Sequence, residues 1–133
     1  MRKILLAYDG GEAARRALET AADLAGAFGA SISVVSVVPK RVGRAAGDPR
    51  QGDAEHAREL QEARKLLAER GIEAETMEPA GDPARTIERI AEVGGFDTIV
   101  LGARCLGTAE RVLQGSVSEH VVAHAHATVV VTH

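Results

Sequence analysis

Two stretches of this chain carry residue types suited to holding a phosphate chain. One reads Gly102-Ala103-Arg104-Cys105-Leu106-Gly107-Thr108, and the other, Gly115-Ser116-Val117-Ser118, opens an apolar run that reads as a helix. Glycines let a backbone approach an anion closely, the free N–H groups of a helix's first turn point at it, and serine hydroxyls add donors. Arg104 and Arg111 bring positive charge to the same loop, where a guanidinium can pair with phosphate oxygens. Asp9, just after a short apolar run near the start of the chain, suits a ribose or metal-linked contact. It equally suits a plain cap on the turn that follows. Two better-known phosphate motifs are absent: Asp9-Gly10-Gly11-Glu12 is not G-x-G-x-x-G, and the Gly102–Thr108 loop lacks the lysine of a P-loop. The lysines are Lys3, Lys40 and Lys65, all remote from it.

Three histidines invite a second chemistry. His120 and His124 are four residues apart on an expected helix and can share a face, as metal ligands do. The spacing supplies no carboxylate to complete the set, and His126 falls past the helix end, so no metal site is expected. His133 is terminal.

These groups need a scaffold, and the composition bounds it. At 133 residues and 45% apolar the chain can build one core without metal or disulfide staples. Aromatics are only 2%, so that core is aliphatic. Lys+Arg 16 against Asp+Glu 19, a net charge of −3, gives no basic face, and stacking rings are scarce. Nucleic-acid binding is therefore not expected. A single cysteine excludes an internal disulfide framework. No apolar run reaches the length of a membrane span, and Met1-Arg2-Lys3 leads into a short run closed by Asp9, unlike a signal peptide. A cytoplasmic protein with no membrane partner is expected.

Lys3–Tyr8 is a short, nearly continuous apolar run, as in a strand buried on both faces. Gly11–Phe28 has helical periodicity, with Ala14, Leu18, Ala21, Ala25 and Phe28 on its apolar stripe, and Gly29 ends it. Ser31–Val38 is β-branched and stops at Pro39. Pro39–Gly52, with Arg41, Arg44 and Arg50, reads as a mobile, solvated surface connection rather than a domain boundary. Asp53–Arg70 is a second helix with Ala57, Leu60, Ala63 and Leu67 on one side, and Ala74–Glu78 is a short strand. Asp82-Pro83 starts a third helix, buried through Ile87, Ile90 and Ala91. Thr98–Gly102 is a fourth strand, Ser116–Ala125 a last helix and Thr128–Thr132 a fifth strand. Strict β-α alternation over residues 1–133 predicts one doubly wound α/β domain with a parallel sheet covered on both faces. Ligands of such sheets sit beyond the carboxyl ends of the strands where the winding reverses. With strand 1 central, that places Asp9 and Gly102 on either side of the crevice.

Taken together, these residues resemble the universal stress protein family. Gly102, Cys105, Gly115 and Ser116 stand at the spacing of its G-x2-G-x9-G-[ST] signature, and Lys3–Gly10, Ser36–Pro39, Gly81–Ala84 and Val117–Glu119 agree along the whole chain. The resemblance implies a five-stranded parallel sheet of order 3-2-1-4-5, a homodimer, and a regulatory module that binds ATP or AMP with Mg²⁺ on the phosphates. Carried over by position, Ala7 and Asp9 line the adenosine side and Val37 contacts adenine. Gly102, Arg104, Cys105, Gly115, Ser116, Val117 and Ser118 surround ribose and phosphates. The sequence departs from the pattern where Cys105 replaces the second glycine and Gly11 replaces a common serine. Cys105 beside Arg104 suits a reactive thiol, but the plainer reading is a small loop residue in place of glycine.

The expected outer strands differ. Strand 3 carries Glu75 and Glu78, which blunt an edge, whereas Thr128, Val129, Val130, Val131 and Thr132 form an uncharged one. A homodimer through strand 5 follows from that contrast. Two other functions use the same residues: a slow ATPase or self-phosphorylating enzyme, for which no catalytic set beyond Asp9 as a base is evident, and a nucleotide-free dimeric scaffold whose pocket is obstructed by Cys105.

Overall fold

The apolar run at the start of the chain becomes the central strand of the sheet. A computed structural model of the chain describes residues 1–39, 49–103 and 116–133, with side chains described over 1–39, 55–103 and 117–133. In it β1 (Lys3–Ala7) buries Ile4, Leu5 and Leu6 completely. Each such side chain contributes about 1.5–3 kcal/mol relative to an exposed one.

The remaining elements are α1 (Glu12–Phe28), β2 (Ser31–Val35), α2 (Pro49–Glu69), β3 (Glu75–Met77), α3 (Pro83–Gly94), β4 (Thr98–Gly102), α4 (Ser116–His124) and β5 (Thr128–Thr132). The strands form one parallel sheet in the order β3-β2-β1-β4-β5. Alternate side chains of β1 serve two cores. Ile4 and Leu6 pack with α1 and α2 on one face, and Leu5 and Ala7 with α3 and α4 on the other. The winding runs from β1 out to β3, then crosses back to β4 and β5. The reversal point is therefore the β1–β4 boundary, as expected for a central strand 1.

Local signals set the ends of α1 and α3. Asp82 accepts the Arg85 N–H at 3.0 Å ahead of Pro83, and Gly95 closes α3 in the left-handed region at φ +70°. Gly29 closes α1 in the same way at φ +69°.

Four local expectations are corrected. The regular part of β2 stops at Val35 rather than Val38; beyond it only a Val38–Ala80 bridge continues. The second helix starts at Pro49, inside the segment read as a connection. Phe28 is exposed because α1's last turn reaches the edge of the sheet, where the chain turns at Gly29 and Ala30 into the first rung at Ser31. Ala57 is exposed too. The first turns of α2 stand beyond the strand ends, and burial begins only at Leu60. That overhang is what carries His56 and Glu59 to the functional end of the sheet.

Candidate functional site

The carboxyl ends of β1, β2 and β4 define the candidate site. Tyr8 N–H donates to the Val35 carbonyl at 3.0 Å, and Ser36 N–H to that of Met77 at 3.0 Å, so the main chain is held one residue past each strand. Asp9 then turns the chain into α1: its Oδ1 accepts the Gly11 N–H at 2.9 Å, a two-residue side-chain turn. Gly10 between them has φ +81°, a conformation that favours glycine.

At the other wall, β4 approaches α1 so closely that a Cβ on Gly102 would lie 2.7 Å from the Ala13 carbonyl carbon. Thr132 Oγ1 donates to the Ala13 carbonyl at 3.0 Å, and Ala103 N–H to the Thr132 carbonyl at 2.7 Å. The ends of β4 and β5 and the start of α1 are thus fastened together. Gly102 has a packing role in addition to the ligand role its motif implies.

A polar cluster that the motifs do not reveal lies beside Asp9. The Ser36 hydroxyl, on a residue only 2% exposed, donates to Glu59 Oε1 at 3.4 Å, and His56 Nδ1 lies 2.6 Å from the same hydroxyl oxygen. His56 and Glu59 approach to 3.4 Å. Burial raises the Asp9 carboxyl above its usual value. Burial, and then the Asp9 charge, push Glu59 up to about 7. One turn further along α2, Glu62 accepts the Tyr8 hydroxyl and pairs with Arg15 at 3.3 Å. Burial and that carboxylate raise Tyr8 to about 12, so it stays a neutral donor. The sequence contains a signal for this cluster only in hindsight: polar residues at 56, 59 and 62 precede the buried stripe of α2.

The expected site residues divide into three groups. Ala7 (buried), Asp9 and Val37 (both half-buried) stand at the ends of β1 and β2, and Gly102 ends β4. Val117 and Ser118 are buried in the first turns of α4. Ser116 begins α4, but its side chain, like Arg104, Cys105, Arg111 and Gly115, lies outside the described residues. Among the described residues, two open hollows lie elsewhere. One lies between α1 and α2 around Arg15, Leu18 and Leu66, and the other near the end of α3.

The histidines of α4 are not alone either. Glu88 of α3 places Oε2 2.7 Å from His120 Nδ1, a carboxylate that periodicity along α4 could not supply.

Comparison with known proteins adds to this geometry. The model of the universal stress protein family matches residues 1–133. A universal stress protein of Methanocaldococcus jannaschii is 34% identical over 139 residues, covering 98% of this chain and 81% of that one. The solved universal stress protein UspA of Lactobacillus plantarum is 30% identical, with a TM-score of 0.83 over 99% of this chain and 97% of that one. A universal stress protein of Archaeoglobus fulgidus, solved in complex with dAMP, has the same fold: TM-score 0.80 at 24% identity, covering 100% of this chain and 98% of that one.

Proposed function

The chain belongs to the universal stress protein family, and from that premise we propose that it is an adenine-nucleotide-binding regulatory module of the stress response. It takes ATP or AMP at the β1–β4 crevice and acts in the cytoplasm. The observation that carries this reading is the placement of Asp9, just past the end of β1, and Gly102, at the end of the adjacent β4, where the winding of the sheet reverses. The first turn of α4 follows β4 in the chain. The dAMP bound by the Archaeoglobus fulgidus protein of the same fold is in keeping with it.

The residues at the strand ends suit the ligand. Ala7, Gly10 and Gly102 put little side-chain bulk over the backbone there. Asp9 and Val37 would hold the adenosine end. The Gly102 backbone, Arg104, Cys105, Gly115 and the start of α4 at Ser116, Val117 and Ser118 would surround ribose and phosphates. Bound Mg²⁺ would offset phosphate charge, which the half-buried Asp9 and Glu59 otherwise oppose.

Calorimetric titration of nucleotide-stripped protein with AMP, and with ATP plus Mg²⁺, tests the reading. Micromolar binding by wild type is the expected result. Binding only by Cys105→Gly would mean that the thiol closes the site and would favour the scaffold reading. No heat from either protein would overturn the site assignment.

We propose further that the protein is a homodimer through β5. Val129, Val130 and Val131 are half-buried on an uncharged outer strand, whose unpaired backbone groups invite a second copy. Val130→Lys is expected to halve the molar mass measured by light scattering. An unchanged mass, or a monomeric wild type, would refute this interface.

A further inference from the structure

On the face of the molecule opposite α1 and α2, three potential metal ligands from two helices converge. Glu88 and His120 approach to 2.7 Å, and the His120 and His124 rings stack with centroids 4.1 Å apart. One ligand atom from each of Glu88, His120 and His124 lies within 4.8 Å of the other two. The site is accessible, since His124 is exposed and the other two are half-buried.

The hydrogen bonds orient these rings. His124 Nδ1 lies 2.9 Å from the His120 carbonyl. That oxygen can only accept, so Nδ1 carries the hydrogen and the neutral ring presents its Nε2 lone pair outward. An imidazole held by a backbone carbonyl through its second nitrogen is the usual arrangement around a ligated ion. Glu88 Oε2 stands 2.7 Å from His120 Nδ1, so a carboxylate oxygen and a second imidazole lie side by side next to the His124 ring.

We propose that Glu88, His120 and His124 form a binding site for a divalent transition-metal ion of the zinc type. Two imidazole nitrogens and one carboxylate oxygen suit zinc, cobalt(II) or nickel(II), and leave at least one coordination position for water. Metal–ligand bonds of about 2.0–2.2 Å set neighbouring ligand atoms about 3.4 Å apart in a tetrahedral site, so Glu88 and His120, now 2.7 Å apart, must separate slightly, an adjustment that side-chain rotation on two packed helices can supply. Arg85 and Arg89 border the adjoining hollow, so the ligand set rather than a general negative field must hold the ion. Mg²⁺ and Ca²⁺, which need more oxygen ligands, are not expected to bind. The bound ion would tie α3 to α4.

Titration of nucleotide-free full-length protein with ZnCl₂ in a calorimeter tests the site, with Co²⁺ absorption to identify the ligands. The expected result is one zinc per chain at micromolar affinity, weakened at least about tenfold by His120→Gln, His124→Gln or Glu88→Gln and unchanged by His126→Gln. Zinc is also expected to raise the melting temperature of wild type but not of His124→Gln. His124 is exposed, so that variant keeps its fold. Three results would overturn the proposal: no zinc binding tighter than millimolar, affinity unaltered in the His120→Gln/His124→Gln double variant, or a thiolate band with Co²⁺ that Cys105→Ser abolishes together with binding.

Discussion

Gly102→Ala is expected to destabilise the protein by about 1–3 kcal/mol, the usual cost of forcing extra atoms into a packed site. The added Cβ would meet the Ala13 carbonyl carbon and Cβ, both at 2.7 Å, and the carbonyl oxygen at 2.9 Å. Two of those atoms are backbone in the first turn of α1, so relief requires moving the helix start or the end of β4. Either movement disturbs the Thr132 bond to Ala13 and shifts the crevice wall opposite Asp9. Weaker nucleotide binding is expected to accompany the loss of stability. Gly26→Ala is the control of opposite sign. It lies within α1 with nothing within 4 Å of an added Cβ, and replacing a helical glycine is expected to stabilise by about 0.5–1 kcal/mol. Urea unfolding at fixed protein concentration reads both. A Gly102→Ala protein as stable as wild type would show that β4 and α1 are not in fixed contact.

Glu59→Gln is expected to stabilise the protein at pH 8 by about 1–2 kcal/mol and to leave it nearly unchanged at pH 5. Burial and the neighbouring Asp9 raise Glu59 from an ordinary 4.5 to about 7. Between those values the folded chain holds a proton that the unfolded chain has lost, so stability falls as pH rises through this window and levels off above it. The expected magnitude is set below the full linkage value, because the Glu59 side chain is 22% exposed and partly screened. Glutamine keeps an oxygen for the Ser36 hydroxyl and removes the charge that opposes Asp9. Asp9 is raised for the same leading reason, burial, so a smaller slope of the same sign is expected to persist in the variant. Unfolding free energies at pH 5 and 8 decide the matter. An equal effect at the two pH values would mean that Glu59 acts through packing and not through its proton.

The two predictions fall on opposite sides of what could be read without coordinates. Gly102 is visible in the sequence as the last residue of an apolar strand and the first of a spaced glycine motif, yet its approach to Ala13 joins residues 89 positions apart. Glu59 resembles any solvated residue of an amphipathic helix. Only the overhang of α2 past the strand ends brings it against Gly10, Asp9 and Ser36. The same overhang explains why Ala57, correctly spaced for the apolar stripe, is exposed, and the matching overhang of α1 explains Phe28. Periodicity states which residues share a helix face but not how far the sheet beneath that face extends. Glu88 makes the point again, since α3 and α4 bring it to His120 from 32 positions away.

The order of elements, the parallel sheet and its two-sided burial followed from the sequence by itself. The reason is that each depends on short-range periodicity, on glycine and proline stops, and on the few ways that alternating strands and helices can be layered. The family resemblance added the strand order and the candidate ligand. The tertiary structure alone decided where the helices end relative to the sheet. It also decided which carboxylates lose water and share protons, and which histidine gains a carboxylate. Those are properties of distance and solvent between residues far apart in the chain, and local pattern carries neither.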